Sequence, residues 1–175
     1  FQHAGKGQRG ASWSGESGMN LMMSVLLYPD FLSPREQFYL SMAMALGVYD
    51  FIKELIAFLG VKETGRLRLK WPNDLYFDNH KLGGMLIENT MRTNTIQSAI
   101  VGIGINLNQL DFSNVSSQAT SLRVISGRST DRVEAMQKAF ASLEARYLQL
   151  KAGHLQKIKA DYLAALYRYN MLASY

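Results

Sequence analysis

Three stretches of the chain carry residue types whose spacing could do chemistry. The first is Gly5-Lys6-Gly7-Gln8-Arg9-Gly10-Ala11-Ser12-Trp13. Glycines two and three residues apart let the backbone come close to an anion, and Lys6 and Arg9 add positive charge and free amides. The stretch is not a dinucleotide fingerprint, because the turn-like Trp13-Ser14-Gly15-Glu16-Ser17-Gly18 follows where a helix is required, and no Gly-Lys-Ser/Thr closes a Walker loop. On spacing alone, an exposed basic loop with no ligand fits as well. A glycine-rich segment with no large apolar residue before Trp13 costs backbone entropy to fix, so Gly5 to Trp13 is expected to be a lid, disordered when empty and ordered by ligand. Trp13 would pack that closed lid or belong to the core.

The second stretch is Lys70-Trp71-Pro72-Asn73-Asp74-Leu75, followed by Lys81-Leu82-Gly83-Gly84. Pro72 cannot donate to a sheet ladder, so a strand ending at Trp71 stops and holds Asn73 and Asp74 at its edge. Lys81 opens the returning strand. A carboxylate and an ammonium on neighbouring strand ends suit a phosphate with its magnesium; the plain alternative is a solvated pair worth under about 1 kcal/mol. Gly83-Gly84 counts against that alternative, since paired glycines weaken a strand unless something must approach its backbone. The third stretch, Gly102-Ile103-Gly104-Ile105-Asn106, leaves one strand face bare, for a flat ligand or, more commonly, a packed helix. Asn106 at its end offers an amide for an adenine edge or for capping a turn.

These residues need elements to hold them. Ser33-Pro34-Arg35-Glu36 predicts a helix start and Gly60 its stop, with Phe38, Met42, Ala45, Leu46, Tyr49, Ile52, Ile56 and Leu59 on one buried face. A second helix, from near Thr130 to Gly153, is expected to bury Val133, Met136, Phe140, Leu143, Tyr147 and Leu150, and a third Leu155, Ile158, Tyr162 and Leu166. Strands are expected at Leu21 to Leu27, Leu67 to Trp71, Leu75 to Phe77, Lys81 to Asn89 and Ile96 to Leu107, and a long loop from Asp111 to Gln118. Helices and strands do not alternate regularly. The fold class is therefore α+β, a mixed, mostly antiparallel sheet covered by helices.

The chain has 175 residues, 19 Lys and Arg against 14 Asp and Glu, a net charge of +5, 47% hydrophobic residues, three prolines and no cysteine. One domain of this size buries roughly 70% of its unfolded surface and needs no staples. Without cysteine there is no disulfide scaffold, no cysteine-bound zinc and no thiol nucleophile, and a reducing compartment, the cytoplasm, is expected. No apolar run reaches the roughly 18 residues that span a bilayer, because Gly47, Tyr49, Asp50, Lys53 and Glu54 interrupt Phe38 to Leu59. The opening Phe1-Gln2-His3-Ala4-Gly5 reads as a piece of a longer polypeptide rather than a secretory start.

Taken in order, Gly5-x-Gly7-x-x-Gly10-x-x-Trp13, Asn20-Leu21, Lys70-Trp71-Pro72-Asn73-Asp74, Lys81-Leu82-Gly83-Gly84 and Gly102-Ile103-Gly104-Ile105-Asn106 resemble the catalytic domain of a biotin protein ligase. The motifs run from Phe1 to about Asn108; beyond that the likeness is helical texture. The resemblance implies the biotin/lipoate ligase fold, similar to class II aminoacyl-tRNA synthetases, over 1–175, without its usual start and without the small C-terminal β domain. It implies formation of biotinyl-5′-AMP from biotin and ATP, then transfer to one lysine of a biotin carboxyl carrier domain. By position it implies that Gln2, Lys6, Gly7, Gln8 and Lys81 contact biotin or adenylate. Arg9 matches the second arginine of the loop, and Asn106 the adenine-side asparagine. Many members have Arg at the positions of Lys6 and Gln8. The same resemblance makes a homodimer conceivable and gives this domain neither a membrane nor a nucleic acid to bind.

Elementary electrostatics agrees. A biotin carboxylate attacking the α-phosphorus of ATP is an anion approaching a polyanion, so cations at Lys6, Arg9, Lys70 and Lys81 are needed to offset repulsion. Mg²⁺ would accompany the pyrophosphate with Asp74 as its candidate ligand, and Asn73, Gly83 and Gly84 would line the substrate site. The nearest rival is lipoate–protein ligase; octanoyl transfer through a cysteine thioester is excluded by the missing cysteine. From other classes come a nucleic-acid-binding module, disfavoured because the bases are dispersed, and a fragment that binds biotin without turnover.

Overall fold

The computed structural model describes residues 5–7, 12–62, 66–113 and 118–169. Gln2 lies outside them, as do Gln8, Arg9, Gly10 and Ala11 of the expected lid.

The Glu36 carboxylate accepts from the Ser33 backbone N–H at 3.2 Å and its hydroxyl at 2.8 Å. This closes a 3-10 turn over Pro34–Glu36 that runs into α1, Gln37–Phe58. The Ser33 hydroxyl and amide hold the Glu36 carboxyl below its usual range. Helix α1 is buried almost all round its middle, Met42 to Val48, because it lies between a sheet and two further helices. Among the described residues no helix is long and apolar enough to cross a membrane.

The sheet has strand order β3-β7-β6-β5-β4, from β3 (Leu21–Leu27), β4 (Leu67–Lys70), β5 (Asp74–Phe77), β6 (His80–Arg92) and β7 (Thr95–Ile105). Every pair is antiparallel. Parallel contacts are the isolated bridges Leu69 to Leu166 and Lys81 to Ala119. A two-stranded ladder, β1 (Gly5–Lys6) with β2 (Ser12–Trp13), spans the glycine-rich stretch. Alternate residues of the sheet, among them Leu21, Leu69, Leu75, Val101, Ile103 and Ile105, join α1 in one core, so the helices cover one face. The α+β expectation is met.

Beyond the sheet come α2 (Leu122–Ser126), α3 (Arg132–Lys151) and α4 (Leu155–Ala165). Helix α3 corrects the expected stripe. Val133, Met136 and Phe140 are exposed, and Ala135, Ala139, Leu143 and Leu150 are the buried residues. The reason is the seam with α1: a Cβ on Gly47 would stand 2.9 Å from Leu143 Cα. Backbones this close admit alanine and expel large side chains, so the small residues turn inward. Helix α4 buries Ile158 and Tyr162 as expected. Helix α2, capped by the Ser121 hydroxyl and closed by Gly127 in the left-handed region, stands between the expected loop and α3, where no element was expected.

Candidate active site

The site is built on the sheet face that the helices leave open. In register across all five strands stand Met22, Gly104, Gly84, Asp74 and Lys70. The neighbouring row, Leu21, Ile105, Gly83, Leu75 and Leu69, faces the core. The two adjacent glycines therefore answer to different demands. A Cβ on Gly83 would stand 2.5 Å from Ile105 Cδ1, so this glycine makes room for the core and lies on the opposite face from the site. A Cβ on Gly84 would meet Asp74 Oδ1 at 3.0 Å and Lys81 Cε at 3.4 Å, so Gly84 is the floor beneath the charged pair.

Strict alternation would bury Lys81 and expose Leu82. A bulge reverses this: Leu75 pairs with Gly83 and Tyr76 with Lys81, leaving Leu82 as the extra residue of β6. Leu82 is fully buried, and Lys81 points to the site, its Nζ 2.7 Å from Asp74 Oδ1. The strand start is gripped from outside, the Lys81 N–H donating to the Gln118 carbonyl at 2.7 Å and its carbonyl accepting from Thr120 at 2.9 Å. The other end of the pair is fixed through Asn73, whose amide donates to the Met85 carbonyl and whose own carbonyl accepts from the Met85 N–H at 2.9 Å. Lys70, exposed, lies 4.6 Å from the centre of the Tyr76 ring.

The bare Gly-Ile strand holds neither a helix nor an open slot for a flat ligand at Gly104. The Trp13 indole lies there: a Cβ on Gly104 would be 2.6 Å from Trp13 Cε2. Lys81 Nζ is 5.9 Å from the centre of the Trp13 ring. The indole N–H is buried without a hydrogen-bond partner among the described residues. An orphaned buried donor costs about 1–3 kcal/mol, an expense that a ligand acceptor would remove. Gly7 is half-buried, and Lys6 pairs with Ser12 through the backbone ladder.

Asn106 is buried, its amide donating to the Thr120 carbonyl at 3.0 Å, so it ties the end of β7 to the segment that grips Lys81. Sequence reasoning passed over its neighbour Gln109. Buried Gln109 Oε1 accepts from Asn20 Nδ2 at 2.6 Å and from the Glu16 N–H at 3.0 Å, while Asn20 Oδ1 accepts from Leu107 at 3.2 Å. This network anchors the segment leading out of Trp13. Its only sequence signal is a pair of polar residues, 89 apart, flanking predicted strands.

Asp74 was the expected magnesium ligand. Its Oδ1 is occupied by the Lys81 ammonium, and no group of three or more His, Cys, Asp or Glu among the described residues is placed to hold a metal. In the ligand-free site this carboxylate serves the ion pair, while Mg²⁺ asks for only one or two carboxylates beside phosphate oxygens.

The profile of the Biotin/lipoate A/B protein ligase family matches residues 1–106, more than half of the chain. The chain belongs to that family. It is 33% identical over 150 residues to the bifunctional ligase/repressor BirA of Bacillus spizizenii, covering 83% of this chain and 43% of that protein. It is 32% identical over 163 residues to the biotin–[acetyl-CoA-carboxylase] ligase of Mycobacterium tuberculosis, covering 93% and 57%. The biotin protein ligase of Aquifex aeolicus in complex with biotin and ATP superimposes with a TM-score of 0.78 at 28% identity, over 94% of this chain and 65% of that one. The chain spans about half the length of the curated relatives it matches. The matched residues thus run from β1 to the end of β7.

Proposed function

We propose that the chain is the catalytic domain of a biotin protein ligase, over 1–175. The observation that carries this reading is the Lys81–Asp74 pair, set on the glycine floor of Gly84 and Gly104 and roofed by Trp13. A biotin carboxylate oxygen attacks the α-phosphorus of ATP, pyrophosphate leaves, and biotinyl-5′-AMP forms. The amine of an acceptor lysine then bonds to the acyl carbon, the acyl–oxygen bond breaks, AMP departs with its electron pair, and the amine loses a proton. In the ligand-free site Asp74 holds Lys81 in place; in the reaction Lys81 turns to the carboxylate and α-phosphate and offsets their repulsion. Lys70 adds charge from the neighbouring strand. Carried over by resemblance, Gln2, Lys6, Gly7, Gln8 and Arg9 contact biotin or adenylate, Asn106 lies on the adenine side, and Gly5 to Trp13 closes over an easily hydrolysed anhydride. Mg²⁺ would accompany the ATP phosphates, with Asp74 its candidate ligand once Lys81 turns away. The acceptor is a biotin carboxyl carrier domain in a reducing, cytoplasmic setting, and a homodimer is compatible with the resemblance.

The test is incubation with biotin and α-labelled ATP. Labelled biotinyl-AMP is expected. Its absence overturns the reading, and a labelled lipoyl-AMP formed in a parallel reaction with lipoate would replace it by the lipoate ligase alternative.

A further inference from the structure

A minority of the cations in the described residues are in ion pairs: Arg146 with Asp50 and Asp161, Lys157 with Asp161, Lys138 with Glu134, Arg66 with Asp78 and Lys81 with Asp74. Three of the cations outside these pairs gather at the β4 edge. Arg68 donates to the Leu67 carbonyl at 2.8 Å, Lys70 to the Tyr76 hydroxyl at 3.3 Å, and the Arg168 guanidinium lies 5.0 Å from the Tyr167 ring centre. None of them pairs with a carboxylate among the described residues. They share a support, because the Tyr76 and Tyr167 rings are 5.7 Å apart and the Tyr167 N–H donates to the Leu69 carbonyl at 2.7 Å. Arg68 and Lys70, alternate residues of one strand, face the same side as Asp74. Beside them Trp71 is 62% exposed, on a turn that Asn73 fixes to β6.

A rigid exposed indole flanked by unpaired cations, one strand away from the reacting pair, has the make-up of a protein-docking anchor, where Trp and Arg carry much of the binding energy. The geometry points to Trp71, Arg68, Lys70 and Arg168 as the docking surface for the acidic surround of the acceptor lysine on the protein substrate. This rests on the ligase reading above. The acceptor lysine arrives as an ammonium and must lose a proton before its amine can attack, at a site that already holds cations; carboxylates around it on the carrier would offset that repulsion and steer the encounter. A nucleic acid is the poorer fit, since three cations fall short of the roughly six to ten phosphate contacts of a typical DNA-binding surface.

The two half-reactions separate this inference from the reading beneath it. Biotinyl-AMP formation from biotin and ATP, and transfer to a recombinant biotin carboxyl carrier domain, are measured for the wild type, Arg68→Glu, Arg168→Glu, Trp71→Ala and the milder Arg68→Gln, with folding checked by Tm. The expected result is unchanged adenylate formation with KM for the carrier raised about tenfold in the charge reversals, kcat altered little, and the salt dependence of KM flattened. The same flattening is expected when the carrier's Asp and Glu around its lysine become Asn and Gln. Adenylate formation by the wild type with carrier KM and salt dependence unchanged in all folded variants overturns the docking surface and leaves the ligase reading standing. No adenylate from the wild type removes both. Retention of a DNA or RNA oligonucleotide by the wild type that these variants lose, with transfer intact, also overturns it.

Discussion

The two faces of the sheet use the same residue types to opposite ends. On the helical side Gly47 brings α1 and α3 into backbone contact, and Arg146 donates to Asp50 at 2.6 Å and to Asp161 at 2.7 Å, tying three helices together. On the open side Gly84 and Gly104 clear a floor, and cations stand over it either as a single exchangeable pair or with no acid at all. Glycine that serves packing admits the backbone or side chain of a core neighbour; glycine that serves a site is covered by the site's own side chains. Charge that serves packing is neutralised; charge that serves a site is left for something else to neutralise.

Substitutions on the two faces should therefore fail in different assays. Lys81→Ala is expected to lower adenylate formation on the order of a hundredfold or more with Tm nearly unchanged, since the partly exposed pair contributes at most about 1 kcal/mol to folding. Folded protein with undiminished adenylation would break the contrast at its centre. Next come the glycines. Gly47→Ala has nowhere to put its methyl and should lower Tm by about 2–6 °C, with activity per folded molecule retained. Gly104→Ala displaces the Trp13 indole and should cost about tenfold in adenylation, with a smaller Tm change; thermal scans beside initial rates show whether the two effects separate.

The Arg146 hub makes a prediction in pH. Burial by itself would raise the Asp161 carboxyl, but the hydrogen bonds and charges of Arg146 and Lys157 outweigh it and hold the group below the ordinary 3.8. A depressed folded pKa means a stabilisation fully present above the unfolded value and lost as pH falls through the folded one. The Tm difference between wild type and Asp161→Asn should be constant from pH 7 to about 5 and narrow as pH falls below about 4; no difference at pH 7 would remove Asp161 from the hub. The smallest effect is expected at Gln8, where an amide stands in for the arginine of many relatives: Gln8→Arg should slow release of biotinyl-AMP a few-fold by adding a charge-assisted bond, measured by chase with unlabelled biotin.

Much of this was legible in the sequence because it is local. Pro72 ended a strand, Ser33 and Gly60 bounded a helix, and Asp74 and Lys81 were placed on adjoining strands by the turn between them. What could not be read depends on partners far along the chain. Gly83 and Gly84 are the same residue in sequence, and only the pleat decides that one faces Ile105 and the other Asp74. The exposed stripe of Val133, Met136 and Phe140 has a sound helical period. It loses its place to Ala135 and Ala139 because Gly47, some ninety residues earlier, sets how close the helices come. Trp13 on Gly104 joins residues too distant for periodicity to connect.

The bulge at Leu82 has a consequence for how this hairpin can diverge. Lys81 faces the site because one residue of β6 has no opposite number on β5, so its direction is set by chain length as much as by chemistry. Insert one residue on β5 opposite it and strict alternation would turn the ammonium toward the core, with the strands still paired. The segment between Asp74 and Gly84 can exchange one side chain for another across generations, yet it cannot gain a link opposite Leu82 without exchanging inside for outside.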